Sequence, residues 1–284
     1  MPSQETEIQK TEKQQRLKQA ITDNFNLVAA GYDNPAQRYF PMSADRMAEY
    51  LKPKPGSRVL DITTGTGMVA TAIAQAILPD GRVQGIDLSS KMLDKAFENF
   101  TKLGLNNIDL HEMDADNLEF KSNYFDYASC GFGIFFMPDM LASLKEWRRV
   151  LKPNARLIFT TFAASSFGEL IKSFVSQLED FNISFDTSKE RLTEMNTCET
   201  YLEQAGYIDV QIHSEQLGYH LASENDWWEI VMNSGLRGFV TQLDAMQFAQ
   251  FRAKHLAEIA KLKTDKGIWL DINIIFSTGK KPAE

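Results

Sequence analysis

The sequence predicts an α/β domain built on a mostly parallel sheet with helices on both faces, and three observations carry that expectation. Between about residue 56 and residue 162, short β-branched runs alternate with stretches of helical period, the order expected of strands and crossover helices. The first run, Val59-Leu60-Asp61-Ile62, passes straight into the tight turn Gly65-Thr66-Gly67. A helix follows, with Val69, Ile73 and Ile77 on one face and Pro79-Asp80-Gly81 as its stop. Two early strands also end in acids, Asp61 and Asp87, at the edge where an open α/β sheet takes its ligands.

Residues 1–20 are polar. Helical patterns over 21–32 and 44–51 are interrupted by Asp33-Asn34-Pro35, and Pro53-Lys54-Pro55-Gly56 breaks the chain before the first strand. The second strand covers 82–87, with Ser89 placed to cap the next helix, 89–104, on which Met92, Ala96 and Phe100 are four apart. A strand at 108–112, a fourth ending near Cys130 and a helix over 139–151 complete the alternation. Further helices are expected at 167–181 and 199–205. The end of the chain departs from the pattern: 210–221 and 267–279 read as strands separated by a long helical segment. The expected layout is therefore a helical cap (1–52), a core (53–221 with 265–284) and a helical insertion (222–264), read as a lid over the substrate.

A net charge of −8 over 284 residues, with no basic stripe, argues against a nucleic-acid surface. A hydrophobic fraction of 43% and an aromatic fraction of 11% suit a sizeable core. The longest uncharged apolar run, about 127–138, is too short to span a bilayer, and 1–18 has no signal-peptide pattern. Two cysteines, Cys130 and Cys198, suggest neither a metal cluster nor a disulfide scaffold, so the expected metal content is none and the expected setting is reducing and cytoplasmic. Oligomeric state is not readable.

Strand, glycine turn and helix N-terminus together make a nucleotide cradle. Gly65-x-Gly67-x-x-Ala70 fits a relaxed dinucleotide fingerprint, which keeps an NAD(P)-dependent oxidoreductase open. Asp61 argues otherwise: a carboxylate there repels a diphosphate and attracts a ligand with an ammonium or sulfonium tail. The nucleotide of that description is S-adenosylmethionine. Asp87 stands where a ribose diol is held, and the loop carrying Asp114 and Ala115 can accept from and donate to an adenine edge.

The runs Val59-Leu60-Asp61-Ile62-Thr63-Thr64-Gly65-Thr66-Gly67, Gly85-Ile86-Asp87-Leu88-Ser89 and Asp114-Ala115-Asp116-Asn117-Leu118 resemble the first three motifs of class I S-adenosylmethionine-dependent methyltransferases. Phe125-Asp126-Tyr127-Ala128-Ser129-Cys130-Gly131-Phe132 and Glu146-Trp147-Arg148-Arg149-Val150-Leu151-Lys152-Pro153 resemble the two that follow. Within the class the chain is most similar to the ubiquinone/menaquinone-biosynthesis C-methyltransferase type. The resemblance implies a Rossmann-like seven-stranded sheet of order 3-2-1-4-5-7-6 with the last strand antiparallel. It implies S-adenosylmethionine as cofactor, held by Asp61, Thr63, Thr64, Gly65, Gly67, Asp87, Leu88, Met92, Asp114, Ala115 and Cys130. Thr63 departs from the class pattern, standing where the first glycine is usual, and its hydroxyl is an expected donor to the cofactor.

The Tyr32-Asp33 pair resembles the segment that closes over the cofactor in such enzymes, so Tyr32 is expected in the active site, with Arg38 a weaker candidate. Phe132, Phe135 or Phe136, after the fourth strand, and Trp227, Trp228 and Met232 of the insertion are expected to line an apolar acceptor pocket. Each could instead be core. His220 and His255 are the candidate bases, although His255 falls on an apolar stripe with Phe248, Phe251, Ile259 and Leu262. The expected activity is methyl transfer to a small, apolar or aromatic metabolite by in-line displacement. The oxidoreductase and a non-catalytic cofactor-binding module remain alternatives.

Overall fold

A computed structural model describes residues 7–184 and 192–283. Helices α1 (Glu7–Val28) and α2 (Tyr39–Leu51) precede the sheet. Then β1 (Arg58–Ile62), α3 (Met68–Ala76), β2 (Arg82–Asp87), α4 (Ser90–Leu103), β3 (Ile108–Glu112), β4 (Phe125–Gly131), α5 (Met140–Val150) and β5 (Leu151–Phe162) follow in order. The remainder is α6 (Gly168–Glu179), α7 (Met195–Gln204), β6 (Ile208–Gln216), β7 (Tyr219–Leu221), α8 (Glu224–Met232), α9 (Arg237–Val240), α10 (Ala245–Ala260), β8 (Ile268–Leu270) and β9 (Asn273–Lys280).

The main sheet has the order β3-β2-β1-β4-β5-β9-β6, with β9 antiparallel to both neighbours. This is the expected order with β9 as the seventh strand. Side chains alternate across it with period two. Val59 joins the apolar layer under α2 and α3, with Met47, Ala70 and Ile73. Leu60 and Ile62 join the opposite layer under α5 and α7, with Trp147 and Leu202. Asp61 falls between these two, on the α3 side, and so points at the turn that starts that helix.

Two expectations for the end of the chain need correction. The runs 210–221 and 267–279 are each broken into two strands, and the pieces β7 and β8 pair as a separate two-stranded sheet. The break at Gly218 has a steric reason: a Cβ there would lie 2.5 Å from the Leu270 carbonyl oxygen. The helical segment between them is three helices, because Ser223 with Asp226 and Asp244 with Gln247 form capping boxes that start α8 and α10 afresh.

The insertion encloses its own apolar centre. Trp227 is 0% exposed, and its indole N–H donates to His255 Nε2 at 2.8 Å. The Phe251 ring stacks on the imidazole and Phe174 of α6 meets its edge. Burial pushes the His255 pKa down to about 4, so the ring is neutral at physiological pH.

That burial carries a pH signature. The unfolded chain takes up this proton near pH 6.5 and the folded one only near 4, so native stability is lost as pH falls through that window. Denaturant titrations at pH 7 and 4.5 should show the decline in His255→Leu to be about 2–3 kcal/mol smaller than in the parent. Parallel declines would show that His255 is not the buried neutral group described.

Candidate active site

The chain changes direction at the carboxyl end of β1, and the turn is built around Asp61. Its carboxylate is 1% exposed and accepts from the Thr64 hydroxyl at 2.6 Å and the Ser129 hydroxyl at 2.7 Å. Burial raises its pKa to about 6, against the pull of those hydroxyls and the Ala70 backbone N–H. All three donors are neutral. A buried acid held this way is stabilised by a cation placed beside it.

Asp87, at the end of β2, accepts from the backbone N–H of Gly65 and of Ser89, each at 2.9 Å. Each carboxylate oxygen keeps a further lone pair for a ligand hydroxyl. The Ser89 hydroxyl caps α4 by accepting from the Met92 N–H. Gly65 has φ +56°, and a Cβ there would meet nothing within 4 Å, so the loop edge faces open space.

That space is a cleft of two lobes along the ends of β1, β2 and β4. The larger, about 730 Å³, is lined by Tyr32, Thr63, Gly65, Asp87, Leu88, Met92, Asp114, Ala115 and Phe132, among others. The smaller, about 420 Å³, is lined by Asp61, Thr63, Thr64, Gly65 and Thr66 with Tyr32, Phe40 and Phe132. Tyr32 stacks on Phe40 and Phe132 on Phe162, giving the waist of the cleft rigid aromatic sides. Asp33 fastens the Tyr32 segment down by accepting from the Thr66 hydroxyl at 2.5 Å and the Asn99 amide at 2.8 Å.

The outer wall is α1, which carries residues that sequence reasoning missed. Lys18, Ile21, Thr22 and Phe25 line the larger lobe, together with Met113, Phe136 and Met137. Lys18 Nζ reaches Asp114 at 2.6 Å and Asp116 at 2.7 Å. Burial works against the charge, but the two carboxylates outweigh it and the Lys18 pKa is raised. The Asn26 side chain accepts from the Ser89 hydroxyl at 2.8 Å, tying the C-terminal end of the helix to α4. The three- and four-residue spacing of Lys18, Ile21, Thr22 and Phe25 was a legible signal of a shared face.

Other expected residues lie elsewhere. No residue of 222–264 lines either lobe: Trp227 and Trp228 are buried in the insertion, and Met232 packs against the same cluster. The covering element at this cleft is α1, and the insertion packs on α6 and the back of α1. His255 sits in that buried cluster, and His220 on β7 meets Trp269 edge-on, so neither imidazole reaches the cleft. Arg38 lies 3.9 Å over the Tyr219 ring. Of the candidates after the fourth strand, Phe132 and Phe136 line the wall, while the Phe135 ring packs on Phe136 and Phe162. Cys130 is buried behind Thr63, its pKa pushed up to about 12 by burial. Gly67 is a packing residue: at φ +86° it caps α3, and a Cβ would lie 2.3 Å from the Phe100 ring.

The model of the ubiE/COQ5 methyltransferase family matches residues 11–223. The chain belongs to the ubiE/COQ5 methyltransferase family. With that membership come the enzyme class, an S-adenosylmethionine-dependent methyltransferase, and its cofactor. The family match ends at Ser223, the N-cap of α8, so the three insertion helices and the last main-sheet strand lie beyond it. The chain is 35% identical to a demethylmenaquinone methyltransferase of Bacillus cytotoxicus over 51% of its own length and 63% of that protein's. Less than two thirds of that relative is therefore spanned. It is 32% identical to the demethylmenaquinone methyltransferase of Staphylococcus aureus over 60% of this chain and 75% of that one. Among solved structures it resembles phosphoethanolamine N-methyltransferase 2 of Haemonchus contortus in complex with phosphomonomethylethanolamine and S-adenosylhomocysteine. The TM-score is 0.53 at 22% identity, over 85% of this chain and 52% of that one, a likeness of fold. No helix among the described residues is long and apolar enough to cross a membrane.

If Lys18 holds α1 across the cleft, Lys18→Met should leave the melting temperature within a few degrees, since an ion pair still open to solvent is worth about 1 kcal/mol or less. Amide exchange in residues 15–25 should accelerate severalfold. Unchanged exchange would show that apolar packing alone seats the helix.

Proposed function

We propose that the chain transfers a methyl group from S-adenosylmethionine to a ring carbon of a small, apolar aromatic acceptor, the reduced, quinol form of a ring like the demethylmenaquinone that its relatives are named for. The observation that carries this reading is the buried Asp61 carboxylate, held by neutral hydroxyls at one end of a cleft that also carries apolar surface from Met92, Phe132, Phe136 and Met137. The cleft's chemistry fits the cofactor end by end. Asp61 and its hydroxyl partners stand at the methionine end, Asp87 at the ribose, and Asp114 with Ala115 at the adenine, where Leu88 and Met92 supply apolar faces. A dinucleotide would instead place its diphosphate between two carboxylates.

The cofactor, when bound, supplies an electrophilic methyl group on a positively charged sulfur. The chain's own contribution is alignment and exclusion of water. Phe132, Phe136 and Met137 offer the acceptor ring apolar surface, and Phe40, edge-on to Phe132 and stacked on Tyr32, continues it into the smaller lobe. Burial and the neighbouring carboxylates of Asp87 and Asp33 hold the Tyr32 phenol well above its ordinary pKa, so it stays protonated and can donate. Holding donor and acceptor at near-attack distance is worth up to about 7–11 kcal/mol in ideal cases. Among the described residues no imidazole lines the cleft. The reading therefore favours an acceptor that carries its own acidic hydroxyl, as a quinol does, so that the ring carbon is activated without a histidine base.

Calorimetric titration tests the cofactor half of the proposal. S-adenosylhomocysteine should bind in the micromolar range to the parent and fail to bind Asp87→Ala, whereas NADH should bind neither. Preference for NADH would overturn the proposal. For S-adenosylmethionine, affinity should hold steady above pH 7 and fall as pH drops through about 6, because protonation of Asp61 removes the charge the cation needs. Asp61→Asn should bind weakly with no such inflection; an inflection that survives the substitution belongs to another group.

With methyl-labelled cofactor, label should pass to a demethylated quinol in the parent. Phe136→Ala should raise the acceptor KM severalfold and leave cofactor affinity unchanged. Binding of cofactor without transfer to any quinol would leave a binding module as the better description.

A further inference from the structure

The insertion lines neither lobe of the cleft, yet one of its helix ends is bonded to the segment that does. Tyr32 lines both lobes, and it caps the 3₁₀ turn Ala29–Gly31. Asn233 caps α8, the first helix of the insertion. Carbonyls at helix ends lack an intrahelical donor and need one from elsewhere. One side chain serves both of these: the Gln37 amide nitrogen donates to the Tyr32 carbonyl at 2.9 Å and to the Asn233 carbonyl at 3.0 Å. An amide nitrogen carries two protons, so both are used.

Gln37 is 1% exposed, which keeps this amide out of solvent, and its Oε1 accepts from the buried Tyr39 hydroxyl at 3.4 Å. The surrounding contacts fix both ends of the bridge. Asn34 caps the turn Pro35–Gln37 by accepting from the Ala36 N–H, and its own amide donates to the Gly31 carbonyl at 3.0 Å. On the other side the Asn233 amide donates to the Glu229 carbonyl and carboxylate, each at 2.9 Å, which locks it on α8. Gly31 allows the two segments to meet: a Cβ there would stand 2.0 Å from Asn233 Oδ1. The insertion end is held from its buried side by the bond from Trp227 to His255. The other end carries the Tyr32 ring that stacks on Phe40 at the waist.

We propose that Gln37 is a positioning residue, by which the insertion sets the Tyr32 ring at the waist of the cleft without entering it. The assignment rests on the methyl-transfer reading above. Asp33 ties the Tyr32 segment to the core, and Gln37 ties it to α8. Asn233 lies beyond the stretch that the family model matches, so this tie belongs to what the insertion adds. Gln37 itself lines neither lobe and therefore acts through Tyr32. Loss of its amide leaves two helix-end carbonyls without their donor and frees the segment to shift. A misplacement of about 1 Å can cost about a hundredfold in rate.

The test compares the parent with Gln37→Met, which keeps the length of the side chain and removes both donors. Transfer is followed with methyl-labelled S-adenosylmethionine and the reduced form of demethylmenaquinone. The kcat should fall about tenfold or more, while the dissociation constant of S-adenosylhomocysteine, by calorimetry, changes less than about threefold. In a Tyr32→Ala background the same substitution should cost less than about twofold in kcat, since the ring it positions is gone. If Gln37→Met does not fold, Gln37→Asn, whose shorter chain withdraws the amide, makes the same comparison. An unchanged kcat, a matching loss of cofactor affinity, or the same fold-loss in both backgrounds would overturn the assignment and leave Gln37 a structural bond. A parent protein that binds S-adenosylhomocysteine but passes label to no quinol would overturn the methyl-transfer reading and this assignment with it.

Discussion

Much of this molecule is arranged around a negative charge that has been taken out of water without a counter-charge. Asp61 ends a central strand under α3, inside the apolar layer that seats the sheet, and its bonds come from two hydroxyls and an amide. Such a group is costly to keep ionised, which is why its pKa rises. The same cost makes the site receptive, because a cationic ligand recovers what burial took away. The strand end, the Ser129 hydroxyl of the adjacent β4 and the Thr64 turn are therefore parts of one electrostatic arrangement.

Around it the loop conformations are specialised in a way that sequence patterns barely register. Thr63 and Phe132 both sit at positive φ, on the two loops that flank the waist of the cleft. Backbone strain of this kind persists where the surroundings over-determine it, and it gathers at functional sites. Here those surroundings are explicit: the Phe132 N–H donates to the Thr160 hydroxyl, its ring stacks on Phe162, and Gly133 yields space to Thr63. The N-terminal helix completes the enclosure through two contacts, Lys18 near its middle on the Asp114 loop and Asn26 near its C-terminal end on the cap of α4.

The insertion shows how a reasonable functional reading of sequence can be displaced by packing. Trp227, Trp228 and Met232 have the composition of a pocket wall, and His255 the chemistry of a base. A segment of some forty residues between two strands must, however, bury apolar surface of its own to be stable. Those side chains are consumed in doing so. Trp227 donates to His255, Phe251 stacks on it, and the site is left to α1, whose polar composition attracts no notice.

What the sequence determined by itself is the frame and the carboxylates that gather at the strand ends along the cleft. Asp61, Gly65, Asp87 and the Asp114 loop were legible because strand, turn and helix are local structures, and residues close in the chain meet at each strand end. The order of the sheet was what the resemblance to class I methyltransferases implies, and the structure has it. Only the tertiary structure decided what closes the cleft and what stands across it. Lys18 pairs with Asp114 across 96 positions of chain. Gly133 makes room for Thr63, and the histidines are turned away from the cleft. These are meetings of distant segments, set by how whole layers pack, and no local period or motif encodes them.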